Sequence, residues 1–402
     1  MALTGRYLPS IPTRTNLRIC FLNHKPVSEY RICSKCVMDT SDPDISFDAE
    51  GVCNHCHYYD AISETHLHYD DEGQQRIAEI VKQIKDSGRK KRYDCISGIS
   101  GGVDSSYTAF LAKKLGLRPL IVHFDNGWNS ETAVQNVYKL VSNLGFDMET
   151  YVVDWDEFKD IQLAYLKAGV MDIEAPTDHA IAAVVNRLTR QYKIKYLLSG
   201  GNIVTEAILP NAWGYSNMDL RNILAIHERY GTVKLKSFPT FGLVDRIWFQ
   251  IIHGIQSVRL LNYVHYDRKE AKEILSRELG WQDYGGKHYE SVITRFYQGY
   301  LLPKKFGIDK RRAHFSTMIC SGQMTRDESL RELESPPYPT EALLQEDMEF
   351  VAKKFGLSLR GFQEIVESPP RSHYDFPNNQ NLYKRLKKMA ALVFRGRNLG
   401  SN

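Results

Sequence analysis

The sequence predicts an α/β protein: a doubly wound parallel sheet with a small four-cysteine module before it and a mainly helical region after it. Three observations predict this. Strand-like and helix-like segments alternate from residue 93 to residue 199, with helices long enough to cross back over a sheet. The first of these strands runs into a glycine loop, Ser97-Gly98-Ile99-Ser100-Gly101-Gly102-Val103-Asp104-Ser105-Ser106, that opens a helix. Upstream stand two Cys-x-x-Cys pairs, and from about Ser216 onward the pattern is helical.

Taken in order, residues 1–29 show no periodicity and read as an extension. Residues 30–60 form the cysteine module, 61–215 the nucleotide-binding sheet domain, and 216–402 a helical region for substrate or partner. A helix over Gln74–Asp86 leads to the sheet. The expected strands are Tyr93–Ser97, Pro119–Phe124, Glu149–Val153 and Lys195–Ser199, where short β-rich runs end at turn residues. Between them the spacing predicts helices over Asp104–Leu115, Glu131–Leu144, Glu157–Ala168 and His179–Tyr192. Beyond Ser216 it predicts helices over Met218–Arg229, Leu243–Tyr263, Arg268–Leu279, Lys287–Tyr300, Arg326–Leu333, Thr340–Phe355 and Gln380–Phe394.

Length and composition narrow the class. The 402 residues suffice for two or three domains, and 43% hydrophobic with 25% charged residues is ordinary for a globular chain. A formal charge of +4 is too mild to argue for nucleic acid by itself. The apolar stretch Phe241–Val264 is interrupted by Asp245, Arg246, Gln250, His253 and Arg259, so it reads as buried helix and not as a membrane span. The N-terminal segment carries Arg6, Arg14 and Arg18 where a signal peptide would be apolar, so the cytoplasm is the expected compartment.

The glycine loop is built to hold phosphate. Gly101 and Gly102 carry no Cβ, so their N–H groups can turn inward onto an anion. Ser100 and Ser105 add hydroxyls, and the positive end of the next helix points the same way. No lysine follows the loop; Val103-Asp104-Ser105 stands where a kinase-type loop has Gly-Lys-Ser/Thr, which argues against transfer of the terminal phosphoryl group. The plain alternative is an ordinary glycine-rich turn. The run Ser-Gly-Gly-Val-Asp-Ser resembles the PP-loop of the ATP pyrophosphatase superfamily, which shares the adenine nucleotide alpha hydrolase-like fold. Those enzymes grip the pyrophosphate end of ATP and move AMP onto a substrate oxygen.

The second motif is Cys33-Ser34-Lys35-Cys36, followed after sixteen residues by Cys53-Asn54-His55-Cys56. Two such knuckles can close a tetrahedron of thiolates around zinc, and the polar segment between them needs that metal to fold. Disulfides, free thiols and an iron–sulfur cluster are the alternatives. Cys20, Cys95 and Cys320 lack paired spacing and read as inert thiols.

Two of the other clusters, at Asp125-Asn126 and Ser199-Gly200-Gly201-Asn202, fall at strand ends, where ligands of such sheets bind. Asp125 or Asn126 can bond adenine or ribose, or simply build a turn. Ser199-Gly200-Gly201-Asn202 is a second glycine turn that can face the nucleotide. Asp104 and Glu206 can share Mg²⁺ on the ATP phosphates, or serve as helix-start carboxylates. Trp213 and Tyr215 offer an aromatic wall to a sugar or base; core packing is the alternative. Gly285-Gly286-Lys287-His288 and Lys310-Arg311-Arg312-Ala313-His314 are rich in cations that can steady departing pyrophosphate, or form a salt-bridged helix end.

Arg31-Ile32-Cys33 through Asp44-Ile45, the glycine loop, Asp125-Asn126-Gly127-Trp128-Asn129, Asp283-Tyr284-Gly285-Gly286-Lys287-His288 and Ser321-Gly322-Gln323-Met324-Thr325-Arg326 together resemble the N-acetyl sugar amidotransferases of O-antigen and nonulosonic acid pathways. The resemblance covers roughly residues 30–380. It implies conversion of an acetamido group of a nucleotide-activated sugar to acetamidino, with release of AMP and pyrophosphate. On that basis Ser100, Gly101, Gly102, Val103, Asp104, Ser105, Asp125, Gly200 and Gly201 bind ATP, and Asp104 and Glu206 bind Mg²⁺. Asp104, Lys287, Lys310 and Arg311 are the expected catalytic residues, and Trp213, Tyr215 and His288 the expected substrate contacts. Zn²⁺ is structural on Cys33, Cys36, Cys53 and Cys56. The resemblance further implies a partner glutaminase with a cyclase-like subunit, both like imidazole glycerol phosphate synthase components, to supply ammonia. No membrane association is expected. The alternative class is a PP-loop enzyme that thiolates or aminates a tRNA base; the mild charge and the unpaired Cys95 and Cys320 weigh against it. A third is a non-catalytic adaptor.

Overall fold

The computed structural model describes residues 29–247, 249, 253–286, 289–383 and 385. Five strands form a parallel sheet in the order β3-β2-β1-β4-β5. They are β1 (Cys95–Ile99), β2 (Pro119–Asp125), β3 (Met148–Val152), β4 (Tyr196–Leu198) and β5 (Gln256–Val258). The chain winds outward from β1 through β2 to β3, then returns to place β4 on the other side of β1. The carboxyl ends of β1 and β4 therefore diverge at a topological switch point, which opens a crevice for ligand.

Side-chain alternation covers both faces of the sheet. Ile99 and Ile121 pack with α3 (Val103–Lys114) and α4 (Glu131–Leu144) on one face. Ile96, Leu120 and Val122 pack on the other against Val184, Val185 and Leu188 of α6 (Ala175–Gln191). Local chemistry sets the helix ends. Ser130 caps α4, and Gly145 stops it in the left-handed conformation that glycine adopts without strain. Asp154 and Gly169 do the same for α5 (Trp155–Ala168).

The first four strands lie where the sequence predicts them, within two residues. The fifth is a correction. Leu243–Tyr263 reads as one helix, but the structure has a short helix at Leu243–Ile247 and then β5, which pairs in parallel with β4. Gly254, at φ +64°, stands between them in a conformation no helix continues through. The helix expected over Lys287–Tyr300 starts instead at Val292 and continues as a π-helix over Tyr297–Phe306. The helix expected over Gln380–Phe394 lies mostly outside the described residues, as do residues 1–28, Lys287 and His288.

Among the described residues, four α-helices were not anticipated: α1 (Asn54–His66), α7 (Ile203–Glu206), α12 (Lys310–Cys320) and α15 (Leu359–Glu367). α12 carries the cation run Lys310-Arg311-Arg312 in its first turn, behind an Asp309 cap. Among the described residues no helix is long and apolar enough to cross a membrane.

Candidate functional site

The glycine loop joins β1 to α3 at the switch point. Gly101 has φ +85°, and a Cβ there would stand 2.6 Å from the carbonyl oxygen of Ala133 in α4. Both the backbone angle and the space demand glycine. Ser100 Oγ accepts from the Gly102 N–H at 3.2 Å, and Ser105 Oγ donates to the Gly102 carbonyl at 3.1 Å. The buried Trp281 indole donates to the Gly101 carbonyl at 2.9 Å and fixes the loop from behind. Gly101→Ala is expected to cost about 2 kcal/mol of stability through strain and to weaken ATP binding about tenfold or more. Denaturant melts and an ATP titration check both.

The second glycine turn closes directly over this loop. A Cβ on Gly200 would stand 3.0 Å from the Ser105 nitrogen and 3.1 Å from its Cα, so only glycine lets the turns approach so closely. Together they bound a cavity of about 200 Å³. It is lined by Ser100, Gly102, Val103, Asp104, Ser105, Gly200, Gly201 and Glu206, all singled out from sequence, and by Arg268, Tyr284 and Glu290.

Those last three were missed as site residues because each arrives from far along the chain. Arg268 opens α10 (Arg268–Leu279), and its backbone N–H donates to Gln323 Oε1 at 3.3 Å. The Gln323 amide also donates to the Tyr266 carbonyl at 2.7 Å, so one side chain braces both sides of this helix start. Tyr266 in turn hydrogen-bonds the Asp104 carboxylate. Burial, reinforced by that carboxylate, holds the Tyr266 phenol well above its ordinary range, so it stays a donor. Tyr284 is likewise kept neutral by burial and then by Glu290. Glu290 is placed by pairing: Ser130 N donates to the Glu290 carbonyl at 2.8 Å and Val292 N to the Trp128 carbonyl at 2.9 Å. The block Asp283-Tyr284-Gly285-Gly286 was the available signal for Tyr284; nothing local marked Arg268 or Glu290.

Several expected site residues lie elsewhere. Asp125 is not among the cavity-lining residues; its carboxylate accepts from the Gly127 N–H at 2.9 Å, and Asn126 accepts from Trp128 N at 3.1 Å, so this segment is a side-chain-braced turn. Arg311 is not among the cavity-lining residues either. Its guanidinium grips Asp309 at 2.7 Å and donates to the carbonyls of Glu332 and Ser335 at 3.1 and 3.0 Å, satisfying the end of α13 (Arg326–Glu334). Trp213 is 1% exposed and part of the main core, so it presents no wall. Tyr215 stacks on His373 with centroids 4.2 Å apart and bonds Asp219, so its ring is already committed.

Lys310 is also absent from the cavity lining. It sits over the Tyr297 ring at 5.2 Å and offsets the charge of Asp172 and Asp178. Asp178 keeps an exposed face, with the carboxylates of Glu174 and Asp172 nearby. Burial, then Glu174 and Asp172, push its carboxyl up to about 7. The folded protein thus holds a proton that an unfolded aspartate, at about 3.9, has released. Its contribution to stability falls as pH rises through that window and is gone above it. Asp178→Asn is therefore expected to be more stable than wild type at about pH 8, with the gap shrinking towards about pH 5. Denaturant midpoints at the two pH values check this.

The four cysteines converge. Their sulfurs all lie within 4.8 Å of one another, with Cys33–Cys56 at 3.8 Å and Cys36–Cys53 and Cys53–Cys56 at 3.7 Å. A tetrahedral ion with metal–sulfur bonds of about 2.3 Å sets its ligands about 3.8 Å apart. The set therefore has the spacing of a tetrahedral metal centre. Backbone N–H groups of Cys36, Met38 and Cys53 donate to the sulfurs at 3.2–3.4 Å, which suits thiolate charge.

The comparisons with known proteins agree with this geometry. Residues 74–228 match the family model "NAD synthase", and residues 290–390 match "LPS biosynthesis protein WbpG-like, C-terminal domain". The sheet domain is a PP-loop domain. An uncharacterized protein of Methanocaldococcus jannaschii, MJ1599, is 25% identical over 77% of this chain and 95% of its own length. A glutamine-hydrolysing GMP synthase of Aeropyrum pernix is 36% identical over 31% of this chain, but only 24% of that protein is covered. Among solved structures, the U34-tRNA thiolase NcsA of Methanococcus maripaludis, with its [4Fe-4S] cluster, aligns over 73% of this chain and 81% of its own at 13% identity and TM-score 0.31. The sheet domain thus resembles that of an ATP-using synthetase family, and the C-terminal segment resembles a lipopolysaccharide-biosynthesis protein.

Proposed function

We propose that the protein is an ATP-dependent amidotransferase that converts an acetamido group of a nucleotide-activated sugar to acetamidino. One observation carries the reading: the segment resembling a lipopolysaccharide-biosynthesis domain begins at Glu290, which itself lines the PP-loop cavity. The part of the chain with a sugar-pathway likeness thus borders the phosphate cradle.

The chemistry needs little from side chains. The amide oxygen attacks the α-phosphorus of ATP, and pyrophosphate leaves. Ammonia adds to the activated carbon, the carbon–oxygen bond to AMP breaks, and a proton is lost to give the amidine. The loop N–H groups, Ser100 and Ser105 hold the pyrophosphate, and the Arg268 guanidinium meets the charge that builds on it. Asp104 and Glu206 would hold Mg²⁺, a hard cation that takes carboxylate oxygens and screens the phosphates. Zn²⁺ would occupy the four-cysteine site as structural metal. Ammonia would come from a separate glutaminase with its cyclase-like subunit.

The test is pyrophosphate and AMP release by purified protein with ATP, Mg²⁺ and excess ammonium, offered UDP- and CMP-linked diacetamido sugars or bulk tRNA. Sugar-dependent pyrophosphate, with a product about one mass unit lighter because NH replaces O, supports the proposal. Turnover with tRNA alone overturns it in favour of base modification.

A further inference from the structure

Cys320 reads from sequence as a lone thiol, yet the fold brings it to the four-cysteine centre. It is the last residue of α12, and its sulfur lies 3.8 Å from that of Cys56, the same spacing found within the set of four. Cys33, Cys36, Cys53 and Cys56 are fully buried, whereas Cys320 is partly exposed. A tetrahedral ion needs only four ligands, so Cys320 is a surplus thiol touching one of them. The Lys35 ammonium, held by Asp60 at 2.8 Å, adds positive charge near both sulfurs.

We infer that Cys56 and Cys320 form a peroxide-sensitive pair that makes the metal centre a redox switch. The accessible Cys320 thiol attacks a peroxide oxygen; the O–O bond breaks, water leaves, and Cys320 becomes a sulfenic acid. The Cys56 sulfur then attacks the Cys320 sulfur. The S–S bond forms, the S–O bond breaks, and hydroxide departs to take a proton from solvent. The sulfurs close from 3.8 Å to about 2.05 Å. Cys56 is thereby withdrawn from the metal, leaving three thiolates and a centre that releases its ion.

The inference rests on the metal reading of the four cysteines and not on the identity of the substrate. Its test treats the full chain, purified with its metal, with hydrogen peroxide. Released metal is followed with a chromogenic indicator, and disulfides are mapped by mass spectrometry after alkylation. The expected result is a Cys56–Cys320 linked peptide in wild type, with metal release about tenfold slower in Cys320→Ser. A wild-type map lacking that pair overturns the inference whatever the variant does, as does equal release from both proteins. Metal content before treatment tests the metal reading separately.

Discussion

Arg268→Ala is expected to lower the rate of pyrophosphate release about 100-fold while leaving the fold intact. Among the described residues that line the cavity, Arg268 is the one arginine or lysine, against the carboxylates of Asp104, Glu206 and Glu290. ATP brings further negative charge into that space, and the charge on the departing pyrophosphate grows as the bond to the α-phosphorus breaks. A guanidinium held ready inside a partly enclosed site stabilises that charge more than water does. Arg268 is half-buried and opens its helix, so truncation removes charge without emptying the core. Among the described residues its Nε finds no hydrogen-bond acceptor, which leaves it available to a phosphate oxygen. Lysine should restore only part of the rate, because it replaces a planar fork with a point charge. Steady-state kinetics with pyrophosphate detection check the result, and a fall confined to the ATP KM would remove Arg268 from the chemical step.

Stripping the metal is expected to destabilise more than the cysteine module. Four fully buried sulfurs, all within 4.8 Å of one another, repel as thiolates unless a cation sits between them. The module is also fastened to the C-terminal helices. Arg326 donates to the carbonyls of Cys36 and Cys33 at 3.1 and 3.0 Å. Arg312 donates to the Val37 carbonyl at 3.0 Å and pairs with the buried Asp39 at 2.9 Å. α12, so anchored, packs on α7 (Ile203–Glu206), where His314 meets the Thr205 carbonyl at 3.2 Å, one residue before Glu206 in the cavity wall. Structural zinc contributes on the order of 10 kcal/mol to small modules. Even a fraction of that is expected to lower Tm by about 10 °C on chelation, and to weaken ATP binding through α7. Thermal melts and ATP titration of chelated and metal-restored protein measure both. An unchanged Tm in metal-free protein would refute the structural role.

The sequence by itself determined what depends on neighbours in the chain. The glycine loop, its missing lysine and its helix start are contiguous, so the loop and its place between strand and helix could be read directly. The two Cys-x-x-Cys knuckles are local as well, and their convergence follows from the spacing. Strands β1 to β4 and the helices between them were legible because hydrophobic period and caps are short-range signals.

Tertiary structure decided the partner of each charge and ring. Lys310 and Arg311 form a basic run that fits departing pyrophosphate as well as it fits a helix end; only the fold shows Arg311 on Asp309 and the carbonyls of α13. Trp213 and Tyr215 could face a ligand or the core, and packing took both. The cavity's own arginine, Arg268, stands more than 160 residues beyond the loop it faces. Cys320 is 264 residues from Cys56 in sequence and 3.8 Å from it in space. A side chain's chemistry is fixed by its type, but its partner is fixed by topology, which brings together groups that share no local pattern.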